Sequence, residues 1–412
     1  MRIGISTLMI QRGKTGVAQY LFALLRALEK QGREHHFTLF VLEDDLNLID
    51  FARPTMEAVI VPEDYRPPVR NILWHQRRLP ELVRKHRLDV LHVPSYRRLL
   101  ARSPCARVAT IHDLAPFRVP KKYDWKRMFY GRVVVRWLAR RQDRIIAVSG
   151  NTAADITRFF GVPRGRIEVV HNGIDHERFS PGSTSNAKAW MARHSGVEGP
   201  FFLYLARLEQ PGKNHVRLVE AFNRFRTAGG AEWKLVFSGS DWHGAETIHS
   251  AIAASPYRND IRSLGFVPDS ELPHLYRAAD VFVYPSLYEG FGMPPLEAMA
   301  CRCPVISSTR GSLAEVVGDA AFAINPEDVD DMAKQLKRLA TEGATRDQLR
   351  TAGIAQAKRF DWSRTAGETL RVYEKALSQS VGAFIGTASN QSQRAATYTE
   401  LQKSERGLES RL

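Results

Sequence analysis

A chain of 412 residues is too long for one ordinary hydrophobic core and predicts two domains with residues to spare. Its 44% hydrophobic and 25% charged residues are those of a folded protein, and three cysteines, Cys105, Cys301 and Cys303, exclude a disulfide framework or four-cysteine zinc site and read as reduced and structural. The net charge is +15, no apolar run approaches the ~18 residues of a membrane span, and the opening Met1-Arg2-Ile3-Gly4-Ile5-Ser6 turns polar too soon for a secretory leader, so the reading is a cytoplasmic protein.

Short β-branched runs alternate with amphipathic stretches from the start, the pattern of βα units on a parallel sheet. Residues 2–7 predict a first strand, Gly13-Lys14-Thr15-Gly16 a glycine-bearing loop, and 17–28 a helix. Further strands are predicted at 37–41, 58–61, 89–93, 107–112, 144–148 and 167–170. Residues 124–141 set Met128, Val135 and Leu138 among basic residues and predict a cationic amphipathic helix. The charge is concentrated in this half: residues 1–180 hold 32 Lys and Arg against 18 Asp and Glu, with Arg77-Arg78, Arg97-Arg98, Lys121-Lys122 and Arg140-Arg141 among them. Such a surface attracts phosphates, nucleic acid or anionic lipid, and a solvated basic face is the competing reading.

Turn formers at Ser180-Pro181-Gly182-Ser183-Thr184-Ser185 break the pattern and read as a loop or linker. A second series follows, with strands at 201–206, 234–238, 279–284 and 304–307 and a helix at 216–225. The fold class is therefore α/β, two doubly wound Rossmann-like domains in tandem, and ligands in such sheets bind beyond the carboxyl ends of the strands. An amphipathic helix at 363–376 precedes a Ser/Gln/Thr/Ala-rich segment, 379–412, that reads as a disordered tail.

The most informative loop runs Tyr284-Pro285-Ser286-Leu287-Tyr288-Glu289-Gly290-Phe291-Gly292-Met293-Pro294-Pro295-Leu296-Glu297. A strand end meets glycines, and Pro294-Pro295 suits the first turn of a helix, where missing N–H groups cost least. The free N–H groups of Phe291, Gly292 and Met293 then suit a diphosphate or sugar. Glu289 and Glu297 would accept hydrogen bonds from different hydroxyls; their bland readings are a surface loop residue and a carboxylate complementing the helix dipole. A second loop, Arg207-Leu208-Glu209-Gln210-Pro211-Gly212-Lys213-Asn214, offers a guanidinium and an ammonium to neutralise a diphosphate, against an ordinary basic loop in which Asn214 caps the next helix. Asp328-Val329-Asp330 satisfies a metal-binding D-x-D pattern but reads better as an acidic helix start.

Together these residues resemble the retaining GT-B glycosyltransferases of family 4, also called glycosyl transferases group 1. Glu289 and Glu297 match the E-x7-E motif, Arg207 and Lys213 the basic pair, and Asn172-Gly173-Ile174-Asp175 the N-G-[IV]-D at the domain boundary. The resemblance covers nearly everything up to about residue 378. It implies an acceptor domain at 1–178, a nucleotide-sugar domain at 179–360, and a helix at 361–378 that crosses back to the first domain. It also implies that His112 contacts the donor sugar from across the cleft and that Gly16 is the glycine of the N-terminal loop. Retention follows there from same-face attack, with a leaving phosphate oxygen receiving the acceptor's proton, so no dedicated carboxylate base is required; neither metal nor cofactor is expected.

The context Ile111-His112-Asp113-Leu114-Ala115-Pro116 resembles mannosyltransferase-like members and favours GDP-mannose, with UDP-hexoses open. The implied acceptor is a glycan or polyprenyl-linked saccharide of surface polysaccharide or lipopolysaccharide assembly, with peripheral membrane contact through the basic half; no nucleic acid is expected. Competing readings are a nucleotide-sugar epimerase or phosphorylase on a similar scaffold, and a non-catalytic binder of anionic lipid or nucleic acid. Arg302 stands where the family commonly has glycine.

Overall fold

A computed structural model describes residues 1–13, 15–119, 129–230 and 232–380 of the chain. In the first domain β1 (Arg2–Ser6) leads through a glycine-bearing loop into α1 (Gly16–Gln31), whose start is capped by Thr15: its hydroxyl accepts from Ala18 N at 3.2 Å. Leu21, Leu24, Leu25 and Leu28 recur at helical spacing and are buried. There follow β2 (His36–Leu42), β3 (Glu57–Val61), α2 (Pro68–Lys85), β4 (Val90–Val93) and β5 (Ala106–Ile111). Next come α3, a π-helical stretch Tyr130–Val135 continued by Arg136–Ala139, then β6 (Arg144–Ala147), α4 (Gly150–Asp155) and β7 (Ile167–Val169). All seven strands are parallel in the order β3-β2-β1-β4-β5-β6-β7. Every residue of β4 is buried, as a strand covered on both faces requires.

The second domain contains α5 (Thr184–Ser195), β8 (Phe201–Leu205), α6 (His215–Thr227), β9 (Lys234–Ser238), α7 (Ala245–Ala254), β10 (Ile261–Ser263) and α8 (Leu272–Ala278). It continues with β11 (Val281–Tyr284), α9 (Met293–Ala300), β12 (Val305–Ser308), α10 (Leu313–Val317), β13 (Phe322–Ile324), α11 (Val329–Thr341) and α12 (Gly343–Ala357). Its parallel sheet runs β10-β9-β8-β11-β12-β13. The winding reverses at β1 in the first sheet and at β8 in the second, and each reversal opens a crevice beyond the strand ends.

Helix α13, residues 362–380, returns to the first domain and extends the predicted 363–376 at its C-terminal end. Its Ala366, Leu370, Tyr373 and Ala376 enter the core built by Ile3, Ile5 and Leu21, and Tyr373 OH lies 2.8 Å from His92 Nδ1. Asn172-Gly173-Ile174-Asp175 supports this return. A side chain at Gly173 would come within 2.2 Å of Trp362 N, and glycine lets Ile174 bridge to Asp361.

The structure departs from the sequence reading at three places. The 180–185 stretch is not all loop: Ser183 accepts from Asn186 N and starts α5, whose buried residues are Ala187 and Met191, too few to show a period. Asn214 precedes α6 without capping it by its side chain. At φ 63° it instead donates Nδ2 to Pro285 O (3.0 Å) and Pro326 O (2.6 Å), tying the β8 and β11 loops together. The short strands β10 and β13 are absent from the predicted set: each has three residues and exposed positions, and only β13, Phe322-Ala323-Ile324, is apolar throughout. The predicted helix at 124–141 is described from residue 129 onward; of the predicted 379–412 tail, Gln379 and Ser380 belong to α13, and residues 120–128 and 381–412 lie outside the described residues.

Candidate active site

The reversal at β8 brings the loops after β8 and β11 side by side. Leu287 N donates to Gly212 O at 3.0 Å, and Tyr204 OH, rising from β8, donates to Lys213 O at 2.6 Å. On this frame Lys213 Nζ meets Glu289 Oε1 at 2.6 Å, and both side chains are mostly buried. The same carboxylate oxygen accepts from Ser286 Oγ (2.6 Å) and Tyr284 OH (3.1 Å). Burial works to lower the Lys213 pKa, but Glu289, Tyr204 and Glu209 together outweigh it and hold the ammonium above its ordinary value. Burial, with Glu289 beside it, drives the Tyr284 hydroxyl well above its usual range, so it remains a neutral donor.

Glu289 thus leads into the start of α9, where Gly292 is the cap position and Pro294 and Pro295 fall in the first turn. Ser312 closes the loop from behind, its Oγ lying 2.7 Å from Phe291 O and 3.0 Å from Glu289 O. Among the described residues no protein acceptor engages the N–H groups of Phe291, Gly292 and Met293, leaving three donors at a positive helix end. Glu297 lies one turn further along α9. Tyr276 OH donates to its Oε2 at 2.8 Å, and burial pushes its carboxyl up to about 7.

Arg207 stands at the rim. More than half exposed, it lies 3.3 Å from Glu209 Oε2, with its guanidinium 4.7 Å over the Trp242 ring. Sequence reasoning paired Arg207 with Lys213; in the structure each has its own carboxylate partner. Gly16 opens α1, and a side chain built there would meet nothing within 4 Å, so packing does not require glycine at that position.

His112 directly follows β5 across the cleft. Its ring meets Tyr20 edge-on at 4.6 Å and Nε2 lies 3.3 Å from Pro94 O; burial pushes its pKa down to about 4, so it is neutral near pH 7. The His112 carbonyl presses on the Glu289–Gly292 loop: a side chain at Gly290 would fall 1.8 Å from it. The N-terminus of α4 holds the same loop, since Gly290 O accepts from Ser149 Oγ (2.8 Å) and Thr152 Oγ1 (3.1 Å). Beside them Glu315 accepts from Gly150 N (2.9 Å) and lies 2.7 Å from His171 Nε2. Tyr288 OH donates to the buried Asp155 at 2.7 Å.

Sequence reasoning assigned no role to Tyr276, Tyr284, Ser286, Ser149, Thr152 or Glu315. Only Ser149, which caps α4, carries a local signal, the small hydroxyl residue before a helix. Asp328 caps α11, accepting from Asp330 N and Asp331 N, as a helix start predicts. Among the described residues no cluster of three or more His, Cys, Asp or Glu side chains is placed to hold a metal ion.

Residues 190–356 match the family described as glycosyl transferases group 1, and residues 14–178 match glycosyltransferase family 4. The chain is 30% identical over 302 residues to O-antigen chain mannosyltransferase B of Escherichia coli, covering 73% of this chain and 78% of that protein. Among solved structures, sucrose-phosphate synthase from Thermosynechococcus elongatus superposes with a TM-score of 0.75 at 20% identity, covering 92% of this chain and all of that one. Anabaena Alr3699/HepE in complex with UDP-glucose gives 0.69 at 20% identity, covering 93% and 100%. These likenesses establish the two-domain GT-B fold.

Proposed function

The chain belongs to the glycosyl transferases group 1 of glycosyltransferase family 4, and from that premise we propose that it transfers a hexose, with mannose favoured, from a nucleoside diphosphate sugar to a glycan or polyprenyl-linked saccharide during surface polysaccharide assembly. The carrying observation is the Lys213–Glu289 pair beside the three free amides that begin α9. Mannose is favoured by the likeness to the E. coli O-antigen chain mannosyltransferase, whereas the UDP-glucose in the Anabaena structure keeps UDP-hexoses in the assay.

In this reading the diphosphate lies over the amides of Phe291, Gly292 and Met293, with Lys213 and Arg207 neutralising the charge that grows as it leaves. Glu289 exchanges part of its contact with Lys213 for hydroxyls of the donor sugar. Glu297, once ionised, accepts both hydroxyls of the ribose diol. Neutral His112 offers a ring nitrogen to the sugar from the opposite domain. The acceptor oxygen bonds to the anomeric carbon on the face that the phosphate leaves, and its proton passes to the departing phosphate oxygen. Configuration is retained, no dedicated carboxylate base is used, and neither metal nor cofactor is required.

The test is a panel of GDP- and UDP-hexoses with a lipid-linked acceptor pool, run with and without EDTA and compared with Glu289→Ala and Arg207→Ala. Turnover of one donor, undiminished by EDTA and lost in Glu289→Ala, is the expected result, with product anomeric configuration read by NMR. If neither GDP nor UDP raises the melting temperature at saturating concentration, the donor site is wrong, because a ligand bound to the folded state must stabilise it.

A further inference from the structure

Helix α3 turns an apolar and arginine-rich face to solvent. Phe129, Val133 and Trp137 are 61%, 51% and 48% exposed, and their spacing of four sets them along one side of the helix. Arg132, Arg136, Arg140 and Arg141 are exposed beside them. No acidic residue occurs from Phe129 to Gln142. The opposite side, Val135, Leu138 and Ala139, joins the core with Ile145 and Phe160, which fixes the orientation of the exposed side. Arg141 lies 3.4 Å over the Trp137 ring.

The turn Tyr96–Arg98 connects this face to α2: Tyr130 OH donates to Arg97 O at 3.4 Å, and Arg98 Nε donates to Asn71 Oδ1 at 2.6 Å. Helix α2 in turn exposes Val69 and Leu73 beside Arg70 and Arg77. Of the nine large hydrophobic side chains exposed among the described residues, five lie on these two helices, a clustering that scattered surface apolar residues do not produce.

We propose that α3 and α2 form the surface by which the protein docks on an anionic lipid bilayer, α3 lying in the headgroup plane with Phe129, Val133 and Trp137 among the upper acyl carbons. Charge complementarity selects this occupant, since the arginines meet lipid phosphates while the aliphatic and aromatic groups between them leave water. A nucleic acid would use the arginines but leave Val133, Val69 and Leu73 unexplained. The proposal deepens the acceptor reading given above and rests on it for its purpose, because a polyprenyl-linked acceptor is held at a bilayer.

The test is co-sedimentation of the full chain with phosphatidylcholine vesicles with and without phosphatidylglycerol, across a salt series. Binding is expected to the anionic vesicles and to weaken with salt. Arg132→Gln with Arg136→Gln should lower affinity by about fivefold per arginine, and Val133→Ser with Trp137→Ser by at least as much, with melting temperatures and nucleotide-induced melting shifts unchanged. Wild-type tryptophan emission should move to the blue on these vesicles, and that component should vanish in Trp137→Phe. Equal binding by all variants, or no preference for anionic vesicles, overturns the proposal. So does displacement by single-stranded nucleic acid with no emission shift, or self-association that the Val133/Trp137 variant abolishes in the absence of lipid. No sugar nucleotide enters the vesicle assay, so its failure leaves the transfer reading standing, and a donor panel without turnover leaves the docking surface standing.

Discussion

Ser149 Oγ in the first domain donates to Gly290 O in the second at 2.8 Å, and Thr152 Oγ1 supports it at 3.1 Å. Gly290 adjoins Glu289, so the contact between the domains acts one residue from the carboxylate that holds Lys213. The two halves of the cleft are thereby coupled through a backbone carbonyl, which a side-chain comparison would overlook.

Gly290→Ala should block this arrangement, because its new methyl would fall 1.8 Å from His112 O. The expected outcome is at least a tenfold loss of kcat/KM, corresponding to about 1.4 kcal/mol of transition-state stabilisation, with a larger radius of gyration by small-angle scattering. Ser149→Ala should lose less activity and cost about 1 kcal/mol of stability, because it also removes the cap of α4. Unchanged scattering and activity in Gly290→Ala would show that this contact is not needed for turnover.

Lys213 and Glu289 form a pair from which neither member can be removed cheaply. Lys213→Met leaves Glu289 facing Tyr284 and Ser286 with its cation gone, and Glu289→Gln leaves a mostly buried ammonium. Each single change should destabilise by roughly 2–4 kcal/mol. The double variant should recover much of that loss, because no unpaired charge remains, while staying inactive. A double-mutant cycle in urea measures the coupling, and additive losses would mean that the pair is not an energetic unit.

Glu297 makes stability depend on pH in a definite direction. Its folded pKa, about 7, lies above the ordinary 4.5, so between these values the folded state binds more protons than the unfolded one. Stability must then fall as pH rises through this window and level off above pH 7, by a total on the order of 1–3 kcal/mol after discounting for partial exposure. Glu297→Gln should remove this component, so its stability advantage over wild type grows from about pH 4.5 to 7 and then stays constant. Parallel curves for the two proteins would refute a raised carboxyl.

Most of the parallel strands were legible because burial on both faces keeps them largely apolar: β2 and β4 depart from this only at His36, Thr38 and His92. Glu289, Glu297, Arg207, Lys213 and His112 were legible as residue types placed beyond strand ends, the crevice rule applied to one sequence. What residue type cannot convey is which partner a side chain takes. Lys213 suited a phosphate equally well as a free cation or as one held by Glu289, and only the adjacency of β8 and β11 decides between them. Asn214 looked like a helix cap, but its αL backbone turns the side chain toward Pro285 and Pro326 instead. The hydroxyls of Ser149 and Thr152 needed a domain more than a hundred residues away.

Arg302 acquires a physical explanation from the backbone alone. It follows Cys301 at the end of α9, adopts φ 65° in the left-handed region, and its N–H donates to Met299 O at 3.0 Å. A left-handed residue just past a helix end is the position that glycine fills without a Cβ penalty, so glycine there would close α9. Arginine carries that penalty, about 1 kcal/mol, in every folded molecule. Arg302→Gly should therefore raise stability by several tenths to about 1 kcal/mol, reduced because glycine also gains freedom in the unfolded chain, and leave kcat and KM unchanged. Arg302→Ala keeps the Cβ and should give no such gain. The paired comparison separates backbone from charge: if both substitutions lower donor affinity alike, the guanidinium serves the diphosphate, and the left-handed backbone is not the reason for the residue's effect.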